Sequence, residues 1–171
     1  MARNVEIKAR VSDLTAIAAA VKALSADLPQ TIEQTDVFFP TREGRLKLRI
    51  LSLARGELIF YQRPDQTGPK TSTYSISATN EPFTLRAVLS AAYGEDIVVR
   101  KVRTLFMLGR TRVHLDRVDN LGDFLELEVV LKGEDQIAAG IEEAYAIMNK
   151  LGIREADLID GAYADLLRSR A

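Results

Sequence analysis

Cysteine is absent from these 171 residues, and histidine occurs once, at His114. The first absence excludes disulfides, thiolate metal sites and cysteine nucleophiles. The second excludes a histidine-rich zinc centre. No apolar run is long enough to span a bilayer and no signal-peptide pattern opens the chain. The expected setting is therefore cytoplasmic, with no membrane partner. There is no Pro/Gly/Ser-rich linker, internal repeat or low-complexity stretch, and residues 1–171 read as a single domain. An excess of one charge is also missing: 23 Lys+Arg stand against 24 Asp+Glu, a formal charge of -1. A surface that grips nucleic acid as a whole needs a basic excess, so no nucleic-acid partner is expected. Any binding field must come from how the charges are arranged.

Their arrangement is regular. Six segments alternate charged with apolar residues: Asn4-Val5-Glu6-Ile7-Lys8, Arg45-Leu46-Lys47-Leu48-Arg49, Ile59-Phe60-Tyr61-Gln62-Arg63, Lys101-Val102-Arg103, Arg112-Val113-His114-Leu115-Asp116 and Glu126-Leu127-Glu128. Successive strand side chains point to opposite faces, so each segment has one charged and one apolar face. Strands are expected near 3–11, 31–40, 44–53, 57–64, 71–78, 97–108, 111–118 and 123–132. Helices are expected over about 13–26, 81–93, 134–150 and 161–169. Ser12-Asp13 and Asn80 offer N-caps, and Gly94 and Gly152 offer stops. Tight connections between most strands make the sheet mostly antiparallel.

Two orientations of the charged faces are open. They can face solvent over an apolar core, as in half-buried sheets. Alternatively, the sheet closes into a barrel with charges inward, and amphipathic helices cover the apolar outside. Arg45, Lys47 and Arg49 form a purely basic face, whereas Glu126 and Glu128 form a purely acidic one. Like charges on one strand face repel, and a ligand that neutralises them makes the arrangement tolerable. Bases together with acids suit a polyanion held with divalent metal.

Read in order, these segments resemble the CYTH domain of the triphosphate tunnel metalloenzymes. Asn4-Val5-Glu6-Ile7-Lys8 is similar to that family's opening Glu-x-Glu-x-Lys signature. Thr35-Asp36-Val37-Phe38-Phe39, Gly44 to Arg49, Tyr61-Gln62-Arg63-Pro64, Lys101-Val102-Arg103, Val113 to Val118 and Leu121 to Glu128 follow in register. Tyr163-Ala164-Asp165-Leu166-Leu167 ends the match. The Thr-Asp-Val-Phe-Phe segment and the tail look most like bacterial class IV adenylyl cyclases. The resemblance implies an α+β fold: a closed eight-stranded antiparallel β-barrel, the triphosphate tunnel, with helices packed outside. It is compatible with a homodimer.

A triphosphate needs cations on several walls, and Arg offers a planar fork for two oxygens. Lys8, Lys47, Arg49, Arg63, Lys101, Arg103 and Arg112 are the expected triphosphate-binding residues, with Arg45 at the tunnel mouth and Lys70 a solvated loop charge. The resemblance implies a metal set of Glu6, Asp116, Glu126 and Glu128 for Mg2+ or Mn2+, hard ions that prefer carboxylate oxygen. Ion pairs with neighbouring bases are the alternative for these acids. Glu6, Lys8, Arg63 and Asp116 are assigned to catalysis, and no residue is assigned as a dedicated base. His114 is expected to be a hydrogen-bonded structural histidine, with aid to proton transfer as the alternative, and Phe38, Phe39 and Phe124 to pack in the core or wall. One position departs from the signature: Asn4 stands where the first glutamate is expected, so an uncharged carbonyl replaces a carboxylate. The implied activity is a phosphorus–oxygen lyase, converting ATP to cyclic AMP and pyrophosphate. The alternatives are a triphosphatase acting on inorganic, thiamine or nucleoside triphosphate, and a non-catalytic triphosphate or polyphosphate binder.

Overall fold

The apolar face of each alternating strand points out of the sheet, which closes on itself. The computed structural model describes residues 2–170. Its elements in chain order are β1 (Ala2–Arg10), α1 (Leu14–Leu24), β2 (Gln30–Phe39), β3 (Arg45–Ser52), β4 (Arg55–Gln62), β5 (Lys70–Thr79), α2 (Pro82–Tyr93), β6 (Val98–Leu108), β7 (Thr111–Val118), β8 (Gly122–Leu131), α3 (Ile137–Lys150) and α4 (Tyr163–Arg168). The strands form a closed barrel in the order β1-β5-β4-β3-β2-β6-β7-β8, every pair antiparallel. The expected α+β barrel with helices outside is the observed architecture. Among the described residues, no helix is long and apolar enough to cross a membrane.

Closure puts most of the hydrophobic core outside the barrel wall, while a smaller cluster of Phe38, Val99, Phe124 and Tyr163 fills the closed end. Val5, Ile7, Val113, Leu115, Leu125, Leu127 and Val129 leave the outer face of β1, β7 and β8 and meet Val21 of α1 and Ala144, Ile147 and Met148 of α3. A second cluster sets Val37, Phe39, Leu48 and Ile50 against Leu85 and Leu89 of α2. Each fully buried aliphatic side chain contributes about 1.5–3 kcal/mol by leaving water. That gain selects the inward orientation of the charges, because the opposite choice would expose both clusters. Gly140 lets α3 lie close on the wall: a Cβ there would come within 2.9 Å of Val5 Cγ2.

Local signals set most boundaries. Asp13 Oδ1 accepts a 2.9 Å hydrogen bond from the Ala16 amide and caps α1. Gly44, at φ +66, makes the turn between β2 and β3, where a side chain would also strike Phe60 and the Tyr61 carbonyl. Asn80 does not cap α2. The N-cap is Glu81, without a side-chain bond, and Pro82 opens the helix with its φ already set.

The final segment closes one end of the barrel. Leu158 bridges to Ala9, and the Ile159 amide donates to the Lys8 carbonyl at 2.9 Å. α4 then lies beneath the barrel against β6. Tyr163 packs against Phe124 with ring centroids 4.9 Å apart, and Arg45 donates to Asp165 at 2.8 Å.

Candidate active site

Inside the barrel is a cavity of about 350 Å³. It opens at one end, where Ile76 is 52% exposed, and narrows to a floor of buried Lys8, Lys101 and Tyr163. Seven basic side chains line it against five acidic ones, so the lumen carries the positive excess that the whole chain lacks. Lys8, Lys47, Arg49, Arg63, Lys101, Arg103, Arg112, Glu6, Glu126 and Glu128 all lie on its wall.

Register brings the acids together. Glu6 faces Glu128, which faces Arg112; Lys8 faces Glu126, which faces His114. These two rows cross β1, β8 and β7 one above the other, the Glu128 row nearer the open end. Lys8 Nζ lies 3.2 Å from Glu126 Oε1 and 3.9 Å from the Tyr163 ring centroid. Arg112 donates to Glu128 at 2.8 Å. Burial would raise the Glu126 carboxyl, but Lys8 and Arg103 among its neighbours hold it well below the usual carboxylate range.

Asp116 is placed differently from the other acids. It does not line the cavity. Arg103 donates to its two oxygens at 2.6 Å each and the Tyr163 hydroxyl donates to Oδ2 at 2.7 Å. Burial opposes ionisation, but Arg103 brings the Asp116 carboxyl down to about 2. Its role in this geometry is to aim Arg103, whose Nη2 also donates to Glu126 at 2.6 Å.

Asp36 was not singled out from the sequence as a site residue, yet it organises the opposite wall. It is 1% exposed. Lys47, Arg49 and Lys101 donate to it at 2.9, 2.8 and 3.2 Å. Burial works against the charge, but Arg49, Lys101 and Lys47 outweigh it and hold the carboxyl well below the ordinary range. Burial also brings the Lys101 ammonium down to about 7, although Asp36 opposes that shift. The available signal was the spacing Gln34, Asp36, Phe38, which puts Asp36 on the lumen face of β2. Tyr163 was likewise visible only as part of the tail motif.

Lys70 is not a solvated loop charge. It opens β5, is 1% exposed, and donates to the carbonyls of Gln66, Ile159 and Asp160 at 3.0, 3.3 and 2.8 Å. Register sets it opposite Glu6 on the lumen face, from where it reaches the closing segment. Arg45 lies at the closed end, between Asp65 and Asp165, and lines a shallower depression there. Phe38 lines the cavity floor and joins Phe124 and Tyr163 in a cluster at the closed end, whereas Phe39 packs in the outer cluster against α2.

Buried polar atoms without a protein hydrogen-bond partner are, among the described residues, Asn4 Oδ1, Gln34 Oε1, Arg63 Nε and Nη2, and His114 Nδ1. All four residues line the one cavity. Buried polar groups are rarely left unpaired, and each one costs about 1–3 kcal/mol. Their convergence is the mark of a site shaped for a polar ligand with donors and acceptors of its own. Arg63 is held by one contact, Nη1 to Glu6 Oε1 at 2.5 Å, which leaves its other nitrogens facing the lumen.

His114 is not the hydrogen-bonded structural histidine expected from the sequence. Its Nδ1 lies 3.9 Å from both Glu126 Oε2 and Glu128 Oε1, beyond hydrogen-bond length. Burial, with Arg103 adding to it, lowers the imidazole below its ordinary value, although Glu128 and Glu126 oppose the shift. Ligand atoms of His114, Glu126 and Glu128 all fall within 4.8 Å of one another. Two carboxylates and an unpartnered nitrogen on adjacent strands fit a divalent cation.

The family model of the CYTH domain matches residues 2–163. The adenylate cyclase CyaB of Aeromonas hydrophila is 24% identical over 171 residues, which cover 95% of this chain and 87% of that protein. The PH1012 protein of Pyrococcus horikoshii superposes with a TM-score of 0.85 at 22% identity, covering 95% of this chain and 98% of that one. A Hippeastrum protein, described as an adenylyl cyclase candidate with a dominant triphosphatase activity, has a TM-score of 0.64 at 15% identity and covers 99% and 96% of the two chains. The two solved structures speak for the fold.

Proposed function

The chain belongs to the CYTH domain family, and on that premise we propose that it is a metal-dependent enzyme of the class IV adenylyl-cyclase type, converting ATP to cyclic AMP and pyrophosphate. The observation that carries this reading is the gradient along the cavity. By register, Ile32, Ile76, Tyr74 and Leu105 line the open end with Glu57 among them, Glu128 with Arg112 and then Glu126 come next, and Lys8, Lys47, Lys101 and Arg63 lie towards the floor. A nucleoside triphosphate entering phosphates first would leave its uncharged part at the apolar rim. Its α-phosphorus would then sit beside the carboxylates, and its β- and γ-phosphates among the bases.

The chain's own groups divide the work. Arg63, with two unpartnered nitrogens, and Lys8, Lys47 and Lys101 hold the departing pyrophosphate and offset its growing charge. Arg103, fixed by Asp116, and Arg112, fixed by Glu128, brace the acidic wall. Glu126 and Glu128, with Glu6 beside them, would hold a divalent ion, Mg2+ or Mn2+. When bound there, such an ion would polarise the α-phosphate and activate the attacking hydroxyl. The ribose 3′-oxygen attacks phosphorus in line, its proton is released, and the bond to the bridging oxygen of pyrophosphate breaks. No side chain is assigned as the base.

Hydrolysis of the terminal phosphate is the second reading, favoured by the Hippeastrum neighbour. Purified protein given ATP or tripolyphosphate with Mg2+ or Mn2+ separates the two by product. Cyclic AMP with pyrophosphate supports the cyclase; orthophosphate without cyclic AMP sinks it; tight binding without turnover leaves a triphosphate binder. Glu126→Gln and Glu128→Gln are each expected to lower turnover by at least about 100-fold, in keeping with loss of a metal ligand. Unchanged turnover would remove the carboxylates from the mechanism.

A further inference from the structure

We propose that His114 is itself a metal ligand. Its Nδ1, with one oxygen each from Glu126 and Glu128, forms a mixed nitrogen–oxygen site for a single borderline divalent ion, Mn2+ or Co2+ in preference to Mg2+. The inference deepens the reading of the cavity as a metal-dependent triphosphate site and rests on it.

Three observations carry it. His114 is 5% exposed and its Nδ1 has no protein partner, a state that a structural histidine would avoid. The same atom is equidistant, at 3.9 Å, from one oxygen of Glu126 and one of Glu128. That spacing is too long for a hydrogen bond. It suits two donors sharing one ion, since ligands about 2.1 Å from a common centre lie roughly 3–4 Å apart. Finally, the three residues are fixed by the β7–β8 ladder: His114 faces Glu126 directly, and Glu128 is the next lumen-facing residue on β8.

Glu128 is bonded to Arg112 through Oε2 and turns Oε1 towards His114, and Glu126 Oε2, which accepts from Arg103 Nη2 at 2.6 Å, turns its remaining lone pair to the same point. Of the other acids, Glu6 is bonded to Arg63, Asp36 to three bases and Asp116, which does not line the cavity, to Arg103 and Tyr163, while Glu57 stands on β4, three strands from β8 in the barrel. Asn4 brings no charge. One ion is what His114, Glu126 and Glu128 can hold together. Mg2+ demands near-ideal octahedral oxygen coordination, whereas imidazole suits the later first-row metals. A nitrogen donor here tilts the site away from Mg2+.

The test is pulsed electron paramagnetic resonance on the full chain loaded with Mn2+, supplemented by titration calorimetry with Mn2+ and Mg2+. The expected result is a 14N coupling of directly bound imidazole in the wild type, at one Mn2+ per chain. His114→Gln should abolish that coupling and weaken Mn2+ binding by at least about 10-fold, in the range seen when a ligand sphere is disturbed. Mg2+ binding should change by less than about 3-fold. Bound Mn2+ without nitrogen coupling in the wild type overturns the proposal, and that measurement needs no variant to fold. Its failure is distinct from failure of the functional reading, which would show as absence of tripolyphosphate binding and turnover with every metal.

Discussion

The Tyr163 hydroxyl donates a 2.7 Å hydrogen bond to Asp116 Oδ2, so the last helix of the chain is bonded to the acid that aims Arg103. The closing segment thereby reaches the acidic wall through one side chain. Tyr163 also places its ring under the Lys8 ammonium.

Tyr163→Phe keeps the ring and removes the bond. Hydrogen bonds to charged groups contribute about 1.5–3 kcal/mol, so urea unfolding should show a loss in that range. Turnover should fall as Arg103 loses its fixed position. A variant equal to wild type in both would mean that α4 merely covers the floor.

Asp36→Asn leaves Lys47, Arg49 and Lys101 buried without their shared counter-charge. Removing one partner of a buried ion cluster costs about 3–5 kcal/mol. Tripolyphosphate should restore more melting temperature to this variant than to wild type, because a bound polyanion supplies the missing negative charge. Differential scanning calorimetry with and without the anion checks both statements.

Lys101, brought down to about 7 by burial, is part neutral at neutral pH. A bound phosphate favours the ammonium, so the lysine's value rises on binding and the protein takes up a proton. Calorimetry at pH 7.5 in buffers of different ionisation enthalpy should detect uptake that Lys101→Met lacks. The sign also requires that affinity from this group decline as pH rises through 7. Equal proton uptake in variant and wild type would count against it.

Asn4→Glu restores the carboxylate of the family signature next to Glu6 and Glu128. Without metal, another buried acid among acids should cost stability, about 1–3 kcal/mol. With excess Mn2+ the loss should reverse, and calorimetric stoichiometry should rise from one ion to two. A stoichiometry that stays at one would show that Asn4 does not govern the count.

Much of this geometry was readable from residues alone. Val5-Glu6-Ile7-Lys8 and Leu46-Lys47-Leu48-Arg49 announce strands with one charged face, and every expected strand and helix is found close to its expected bounds. Asn80 misled because its side chain can cap, while Pro82 was the stronger local determinant of where α2 starts. Lys70 misled because the turn-rich stretch before it reads as solvated. Its burial depends on carbonyls of residues 159 and 160, some ninety positions away.

Periodicity is local, and so the amino-acid sequence by itself determined the strands, the helices and which side chains share a face. It also determined that bases and acids would be grouped by strand. Which face turns inward is a property of closure: only when β1 pairs with both β5 and β8 does the apolar side have helices to cover it. Partners are likewise a property of register and of the approach of distant segments. Tertiary structure alone therefore committed Asp36 to three bases and Asp116 to Arg103 and Tyr163, and left His114 Nδ1 free between two carboxylates. A hydrogen bond is decided within about 0.5 Å, and no pattern along one strand carries distances across the barrel.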